Sequence, residues 1–448
     1  MRRKAREGDH WRRSKKVAPY IMIWIKAFFL SSVVNGAPSE NQEGEIVKIA
    51  VERIISSIEL SYEEVMSSSA REEAAAARAL SEYRPNRWRS LGLSAQYQPT
   101  ALSNAGLGEQ QLVATLSFAL GSWHESREAE LKAEERSALA EIELNRLNFT
   151  LDAAERYLKL WERKASEQLV REHYTQLKDL LNQSLDSDGL SRLDRLELKS
   201  LLARQAALAD EYELEWDATY AESISALGSI DLTVLDALNH SSDSLLRGDI
   251  AQDSPWKELI SQVSEHPILF AQKSRVIHLD LTADAESKSD PWVTQLGLGV
   301  SLVGMERWPM GTLSVSAPLS SQAEARARSL RHRAAALRAE LERSLKRLSV
   351  SFITHDQHWN SVKSRVRRLS EELVSLYTQR EELARKAFEQ RHIEISRWVN
   401  THIERISAEL DLIHGQAHLW EAKIKASLIL RAINQRVSKG QSLLQKGR

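Results

Sequence analysis

Two long stretches of the chain contain neither glycine nor proline. The first runs from Ser122 to Asp188 and the second from Leu319 to His414. Because these two residue types mark most turns, their absence predicts few, long elements, most of them helices. In helical form the first stretch would be about 100 Å long, at about 1.5 Å per residue. Helices of that length are rare in globular domains and normally pack as coiled coils.

The composition of the 448 residues narrows the class of protein further. The 61 basic residues nearly balance the 62 acidic ones, which argues against a nucleic-acid partner. Cysteine is absent, so disulfides, thiolate metal sites and cysteine nucleophiles are excluded. With 27% charged residues, the chain is too polar for a bundle of membrane-spanning helices.

Four shorter stretches have a different period. Every second residue is apolar in 91–97, 112–120, 296–302 and 313–319, and the residues between them are mostly small or polar. This alternation predicts strands of roughly 8 to 12 residues with one apolar and one small, polar face. Both features are typical of transmembrane β-strands, whose ends often carry aromatic residues. The candidate interface aromatics are Trp88, Tyr97, Trp292 and Trp308.

The order of elements occurs twice, which indicates a duplication. Each strand pair follows a proline, Pro85 or Pro291, and precedes an S-x-x-E capping box that starts at Ser122 or Ser321. The first repeat, 38–228, is predicted to hold a helix, strands 87–98 and 111–121, and helices 122–187 and 191–227. The second repeat, 229–448, is predicted to hold helix 254–275, strands 292–303 and 311–319, and helices 321–390 and 393–437.

The N-terminal segment 1–37 has the pattern of a secretory signal. A basic stretch precedes apolar residues 17–34, and small residues at the end suggest cleavage near Ala37. Lys26 interrupts the apolar run, so we also consider a true translation start at Met22. The alternative interpretation is a single N-terminal membrane anchor, for which the run is short.

Four strands cannot close into a barrel, and lipid tolerates no open sheet edge. If the strands span a membrane, several chains must therefore combine, with two copies giving eight strands and three giving twelve. The small, polar strand face suits a water-filled lumen. The long helices, which follow the strands directly, would continue the tube as an α-helical barrel.

Three segments resemble the TolC family of outer-membrane efflux proteins, and the resemblance extends over about residues 44–437. They are Gly311–Leu319 with the helix start that follows it, the turn Asp188–Leu196, and Asp290–Val300. The last is more similar to the heavy-metal efflux branch of the CzcC and CusC kind. The family implies a mainly α fold with a small β part. Duplicated long-helix hairpins would form an α-helical barrel, joined to a trimeric twelve-stranded transmembrane β-barrel.

The resemblance also implies function and partners. The protein would be the passive exit duct of a tripartite efflux system, without catalysis or cofactor, in the outer membrane with its helical barrel in the periplasm. Its partners would be two further copies, outer-membrane lipid, a periplasmic adaptor protein and an inner-membrane pump of the resistance-nodulation-division (RND) type. The cargo stays open between metal ions, drugs and other small molecules.

Two sets of residues follow from the family's helical tip. The periplasmic entrance would carry Asp186, Asp188, Asp194, Arg397 and Asn400. The adaptor-docking turn would contain Gly189, Leu190, Ser191, Ile395 and Ser396. A ring of Arg397 would repel cations whereas Asp194 would attract them, and the two side chains could instead pair and lock the entrance. If these residues have no role in the entrance or in docking, they are solvent-exposed or turn residues of long helices.

Other functions have weaker support in the sequence. The principal alternative is a secreted or periplasmic coiled-coil structural or tethering protein with a small soluble β-domain. An enzyme is a third class, but no catalytic constellation stands out. His414 with His418, and His355 with His358, have metal-ligand spacing, yet two ligands on one helix face are too few for a closed site, so no metal site is predicted.

Overall fold

The computed structural model describes most of the chain. The described residues are 40–82, 88–98, 109–119, 123–185, 191–248, 254–289, 293–303, 306–316, 322–390 and 392–446. The predicted signal, 1–37, and the first residues of both capping boxes, Ser122 and Ser321, lie outside these ranges. The helices that follow the capping boxes begin one residue later, at Trp123 and Gln322.

Long helices account for most of the described structure. In chain order the helices are α1 (Glu40–Val65), α2 (Ser67–Glu82), α3 (Trp123–Leu185), α4 (Arg192–Leu227), α5 (Leu232–Gly248), α6 (Trp256–Ser261), α7 (Pro267–Ser287), α8 (Gln322–Arg368), α9 (Val374–Glu389) and α10 (Ile395–Lys446). A π-helical turn, Leu369–Leu373, joins α8 to α9. At 63 residues, α3 is about 95 Å long.

The four strands form one antiparallel sheet in the order β1-β2-β3-β4. They are β1 (Trp88–Gln98), β2 (Glu109–Ala119), β3 (Val293–Val303) and β4 (Glu306–Ser316). The central pairing of β2 with β3 joins the two repeats, since these strands are far apart in the sequence. The sheet therefore has two edges, β1 and β4, one contributed by each repeat.

The main core lies where α1, α5, α6 and α7 pack across the long helices α3, α8 and α10. Trp161 and Trp420 are fully buried there, and the isoleucines of α1 complete the apolar contact. Polar atoms in this core find partners: the Trp161 indole N–H donates to Asn239 Oδ1 at 2.6 Å. The hydroxyls of Tyr157 and Ser57 share a hydrogen bond of 2.8 Å.

Several element boundaries differ from the predictions, and two of these differences involve a proline. The helix predicted over 254–275 is interrupted, because a short 3₁₀ turn follows α6 and a new helix begins at Pro267 with His266 as its N-cap. Proline suits the first position of a helix but not its interior. The fourth strand begins at Glu306 instead of 311, and it accommodates Pro309 as the edge strand of the sheet.

One glycine allows two long helices to approach closely. A Cβ atom on Gly415 of α10 would lie 2.5 Å from Cγ2 of the fully buried Val366 on α8. The contact lies just before the π-helical turn, which inserts an extra residue into the helix. Gly415 is thus a packing residue, although it lies in the interior of a helix.

None of the described helices combines the length and apolarity that crossing a membrane would need.

Candidate functional site

The sheet has one apolar face. Residues that are cross-strand partners lie on the same face of a sheet. The pairing aligns two apolar rows across the four strands: Leu91, Leu116, Leu296 and Leu313, and then Leu93, Ala114, Leu298 and Gly311. Leu298 and Leu313 are 77% and 68% exposed, so none of the described residues covers this face at these two positions. An exposed apolar surface on consecutive strands is typical of an interaction with lipid or with another protein.

The opposite face carries small and polar residues. The intervening rows are Ser90, Ser117, Gln295 and Ser314, and then Gly92, Thr115, Gly297 and Thr312. In these rows the alternation extends across all four strands, whereas the next row on this face includes Val113 and Met310 beside Ser94 and Gly299. Each strand has 11 residues, about 36 Å in length, and would rise about 25 Å at a tilt of about 45°. That height equals the apolar band of outer-membrane barrels.

The predicted interface aromatics do not occupy equivalent places. Trp88 and Tyr97 lie near opposite ends of β1, on the apolar face by their pairing with Phe118 and Gln110. Position 308 pairs with Ser301 and therefore shares the small, polar face, which does not suit a lipid interface. Trp292 lies outside the described residues.

The far end of the long helices is held by a second, smaller core. Leu177 of α3, Leu198 and Leu201 of α4, and Ile395 and Trp398 of α10 are buried together. The ring of Phe388 on α9 stacks on Trp398 with centroids 5.8 Å apart. We call this end of the molecule, where α3 leads to α4 and α9 to α10, the helical tip.

The tip changes the role of one predicted docking residue. Ile395 is fully buried, so its side chain belongs to the core of the tip and is not available to a partner. Ser191 and Ser396 are exposed, and docking of an adaptor at these residues stays a prediction. Asp186, Asp188, Gly189 and Leu190 lie outside the described residues.

Ser191 and Asp194 form a reciprocal capping box at the start of α4. The Asp194 N–H donates to Ser191 Oγ at 3.1 Å, and the Ser191 N–H donates to Asp194 Oδ2 at 3.2 Å. This contact satisfies two backbone donors that a helix start leaves unpaired. Asp194 consequently has a structural role that the sequence interpretation, focused on the entrance, did not include.

The second tip turn reverses the chain without glycine. After α9 ends at Glu389, the N–H of His392 donates to the carbonyl of Ala387 at 2.8 Å, and Gln390 N–H donates to Lys386 at 3.0 Å. Backbone hydrogen bonds of this kind satisfy carbonyl groups at a helix end. Arg397 and Asn400 lie exposed in the first turns of α10. Among the described residues, the Asp194 carboxylate accepts from the Ser191 N–H and forms no ion pair with Arg397.

A buried network of ionisable side chains links three helices beside the tip core. Glu409 of α10 contacts His173 of α3 at 2.7 Å and Arg405 at 2.8 Å. Arg405 also donates to Glu381 of α9 at 2.8 Å, and Glu381 contacts His402 at 2.9 Å. The sequence interpretation missed these five residues, because they come from segments as many as 236 residues apart.

The charges of this network stabilise one another. Burial opposes ionisation of Glu381, but hydrogen bonds from His402 and Arg405 outweigh it and lower the pKa of this carboxyl to about 2. Burial likewise opposes ionisation of Glu409, and contacts with His173 and Arg405 lower its pKa. Removing any one of these partners would leave buried charge without compensation and would therefore destabilise the protein.

Two exposed leucines accompany the first tip turn. Leu193 and Leu196, in the first turns of α4, are exposed to 66% and 58%. They flank the capping-box residue Asp194 and lie close to exposed Ser191. Exposed apolar side chains that form a contiguous patch are typical of an interaction surface. Both belong to the segment 188–196 that carried the resemblance, yet no role was predicted for them.

The histidine pairs noted in the sequence lie on exposed helix surfaces. His414 and His418 on α10 contact each other, and the ring of His358 on α8 lies 6.4 Å from that of His418. Within the described ranges, no three His, Asp or Glu side chains converge into a group that could hold a metal ion.

The fold is that of known outer-membrane channels. No protein-family model matches the chain, and no curated protein matches it either. Among solved structures, the outer membrane protein VceC of Vibrio cholerae matches 86% of this chain and 95% of its own, with a TM-score of 0.61 and 12% identity. CusC, a protein whose structures concern folding and transmembrane channel formation, matches 86% of this chain and 91% of its own. The TM-score is 0.60 and the identity 12%.

A third structure supports the same conclusion. The outer-membrane channel OprN matches 87% of this chain and 90% of its own, with a TM-score of 0.59 and 14% identity. The TolC-like resemblance predicted from the sequence is therefore confirmed at the level of the fold, which is mostly helical with few strands. At these identities the comparison speaks to the fold alone.

Proposed function

We propose that this protein is the outer-membrane channel component of a tripartite efflux system. The observation that carries the proposal is the four-stranded sheet with two unlike faces. An exposed apolar face, strands of bilayer-spanning length and a small, polar opposite face are the requirements for part of a barrel wall between lipid and water. The fold shared with known outer-membrane channels supports the same assignment.

The sheet requires other copies of the chain to form a barrel. Its edges, β1 and β4, would expose unpaired backbone groups to lipid, at a cost of several kcal/mol for each group. Pairing β4 of one chain with β1 of the next closes the wall. Three copies give twelve strands, the number that the family resemblance implies, and the long helices would continue the tube into the periplasm.

The helical tip would be the entrance of the duct and its docking surface. Ser191, Ser396, Leu193 and Leu196 offer an exposed, partly apolar surface for a periplasmic adaptor, which would connect the channel to an inner-membrane pump of the RND type. Asp194, Arg397 and Asn400 would set the charge of the entrance. Energy would come from the pump, so the chain itself would perform no catalytic step and carry no cofactor.

The cargo class is left open between metal ions, drugs and other small molecules. Metal export is favoured only by the segment 290–300 in the sequence. A deletion strain tested against zinc, copper and a panel of hydrophobic drugs would decide, because the class that becomes toxic is the class exported.

Fractionation and electrophysiology test the channel itself. We expect the protein in the outer-membrane fraction, with migration on gels that changes on heating, and stepwise ion conductance in planar bilayers. A soluble periplasmic protein without conductance would contradict the proposal and favour the tethering alternative.

A further inference from the structure

We propose that His414 and His418 form an open chelate for one divalent transition-metal ion, such as Cu²⁺ or Zn²⁺. The two imidazoles lie one turn apart on α10, the spacing at which two histidines of one helix can bind the same ion. Their Nε2 atoms are 3.1 Å apart and their rings are nearly perpendicular, with centroids 4.5 Å apart. Both side chains are accessible, at 55% and 43% exposure.

The outer nitrogens of both rings face carboxylates. His414 Nδ1 lies 2.9 Å from Glu162 Oε1 on α3, and His418 Nδ1 lies 3.5 Å from Glu421 Oε2. Glu421 is further held by the ammonium of Lys425, at 2.6 Å. A carboxylate behind each imidazole is the arrangement that orients metal-binding histidines and raises their basicity.

The two Nε2 atoms face each other at a distance that suits one shared cation. A neutral imidazole carries one N–H, which each carboxylate favours at Nδ1. Both Nε2 lone pairs then point towards the space between the rings, where one cation can bind both. If His418 instead carries its N–H at Nε2, that group donates to His414 Nε2, and a bound metal ion would replace this hydrogen bond.

The chemistry of the site selects the class of ion. Imidazole suits Zn²⁺, Cu²⁺ and Ni²⁺, whereas Mg²⁺ and Ca²⁺ prefer oxygen ligands. With two protein nitrogens, the remaining positions are open to water or to a transported ligand. The inference is independent of the proposed channel function, because all four groups that build the site belong to one chain.

The test is Cu²⁺ binding to the purified full-length protein without a histidine tag. In a titration, the wild type should bind one more Cu²⁺ tightly per chain than the variants His414→Gln and His418→Gln do. Electron paramagnetic resonance of the wild type should show two nitrogen ligands. The control is His332→Gln, which alters an exposed histidine about 39 Å along α8 from His358 and should bind as the wild type does.

Further outcomes decide the assignment of each residue. Glu162→Gln should weaken binding on the order of tenfold while keeping both nitrogens. Since these side chains are exposed, unchanged circular dichroism will show that the variants fold. Copper binding in His414→Gln or His418→Gln equal to the wild type, or a spectrum with one nitrogen, would overturn the proposal.

Discussion

Glu381 of α9 is tied to α10 by two side chains beside the tip core. Its carboxylate accepts hydrogen bonds from both His402 and Arg405, and all three groups lie between α9, α10 and α3. Replacing it would leave a guanidinium buried without this partner. The network therefore holds α9 and α10 of the second repeat against α3 of the first repeat. It lies next to the residues proposed to form the entrance.

We expect Glu381→Gln to lower the free energy of unfolding by about 3 kcal/mol at pH 7, because it breaks a buried charge pair. The pKa of Glu381 falls from 4.5 to about 2 on folding. Its contribution is therefore complete above about pH 4.5 and is lost as the pH falls towards 2. Thermal melts at pH 7 and pH 3 should show the difference between variant and wild type shrinking.

The matched control for this prediction is Glu389→Gln. Glu389 pairs with Arg385 on the exposed surface of α9, where an ion pair contributes at most about 1 kcal/mol. An equal loss of stability in both variants, or a loss in Glu381→Gln that does not change with pH, would contradict the role of the network.

Arg397 is the residue expected to control conductance. Its guanidinium is exposed near the proposed entrance, where a ring of three positive charges would repel cations. Arg397→Ala should therefore raise single-channel conductance for cations in planar bilayers. Asn400→Ala, three residues further along the same helix, removes no charge and serves as the control. Unchanged conductance and gating in Arg397→Ala would count against this role.

At the scale of elements, the sheet carries the membrane assignment. The apolar rows include Leu298 and Leu313, which are exposed among the residues that the structure describes, and the polar rows include Gly92 and Gly297. We therefore expect the same substitution to have different effects on assembly on the two faces.

Leu298→Arg should reduce assembly in the outer membrane, because an arginine on the lipid face costs about 2–4 kcal/mol near the bilayer midplane. Thr312→Arg places the same side chain on the opposite face of the neighbouring strand, where water would solvate it. The amount of heat-modifiable protein in outer-membrane fractions measures both. Equal assembly of the two variants would contradict the assignment of the faces.

The elements that could be predicted are those whose pattern lies within one segment. The long helices followed from the absence of glycine and proline, and β3 from the alternation at 296–302. The start of β4 was placed too late, because Arg307, Trp308 and Pro309 break the alternation. Likewise, the helix break at His266 depends on the local effect of Pro267, which periodicity does not report.

What could not be predicted depends on contacts between distant segments. His173 and Glu409 have no common motif and meet only because α3 packs on α10. The burial of Ile395 depends on leucines of α3 and α4. The pairing of β2 with β3, which unites the two repeats in one sheet, follows no rule of sequence spacing.

At the scale of the whole molecule, the proposed channel requires that the sheet closes between chains. A single chain supplies the two edges β1 and β4 and leaves one face of the sheet apolar and exposed. Since the chain contains no cysteine, engineered disulfides can report this closure without background. Ser94 and Met310 lie in one row at opposite edges of the sheet, with two strands between them.

That separation makes the experiment specific for contacts between chains. Three strand spacings are about 14 Å, whereas a disulfide needs Cα atoms within about 7 Å. Ser94→Cys combined with Val113→Cys, its direct partner, is the control and should form a disulfide within one chain. Because neighbouring chains in a barrel are staggered, Ser94→Cys should be combined in turn with Trp308→Cys, Met310→Cys and Thr312→Cys.

Cysteine cross-linking of β1 to β4 in outer-membrane fractions tests whether three copies close one barrel. We expect at least one combination to give a covalent trimer on non-reducing gels, which dissociates to monomers on reduction. Monomers in every combination, while the Ser94 and Val113 control pair is oxidised, would contradict the claim that three copies close one barrel.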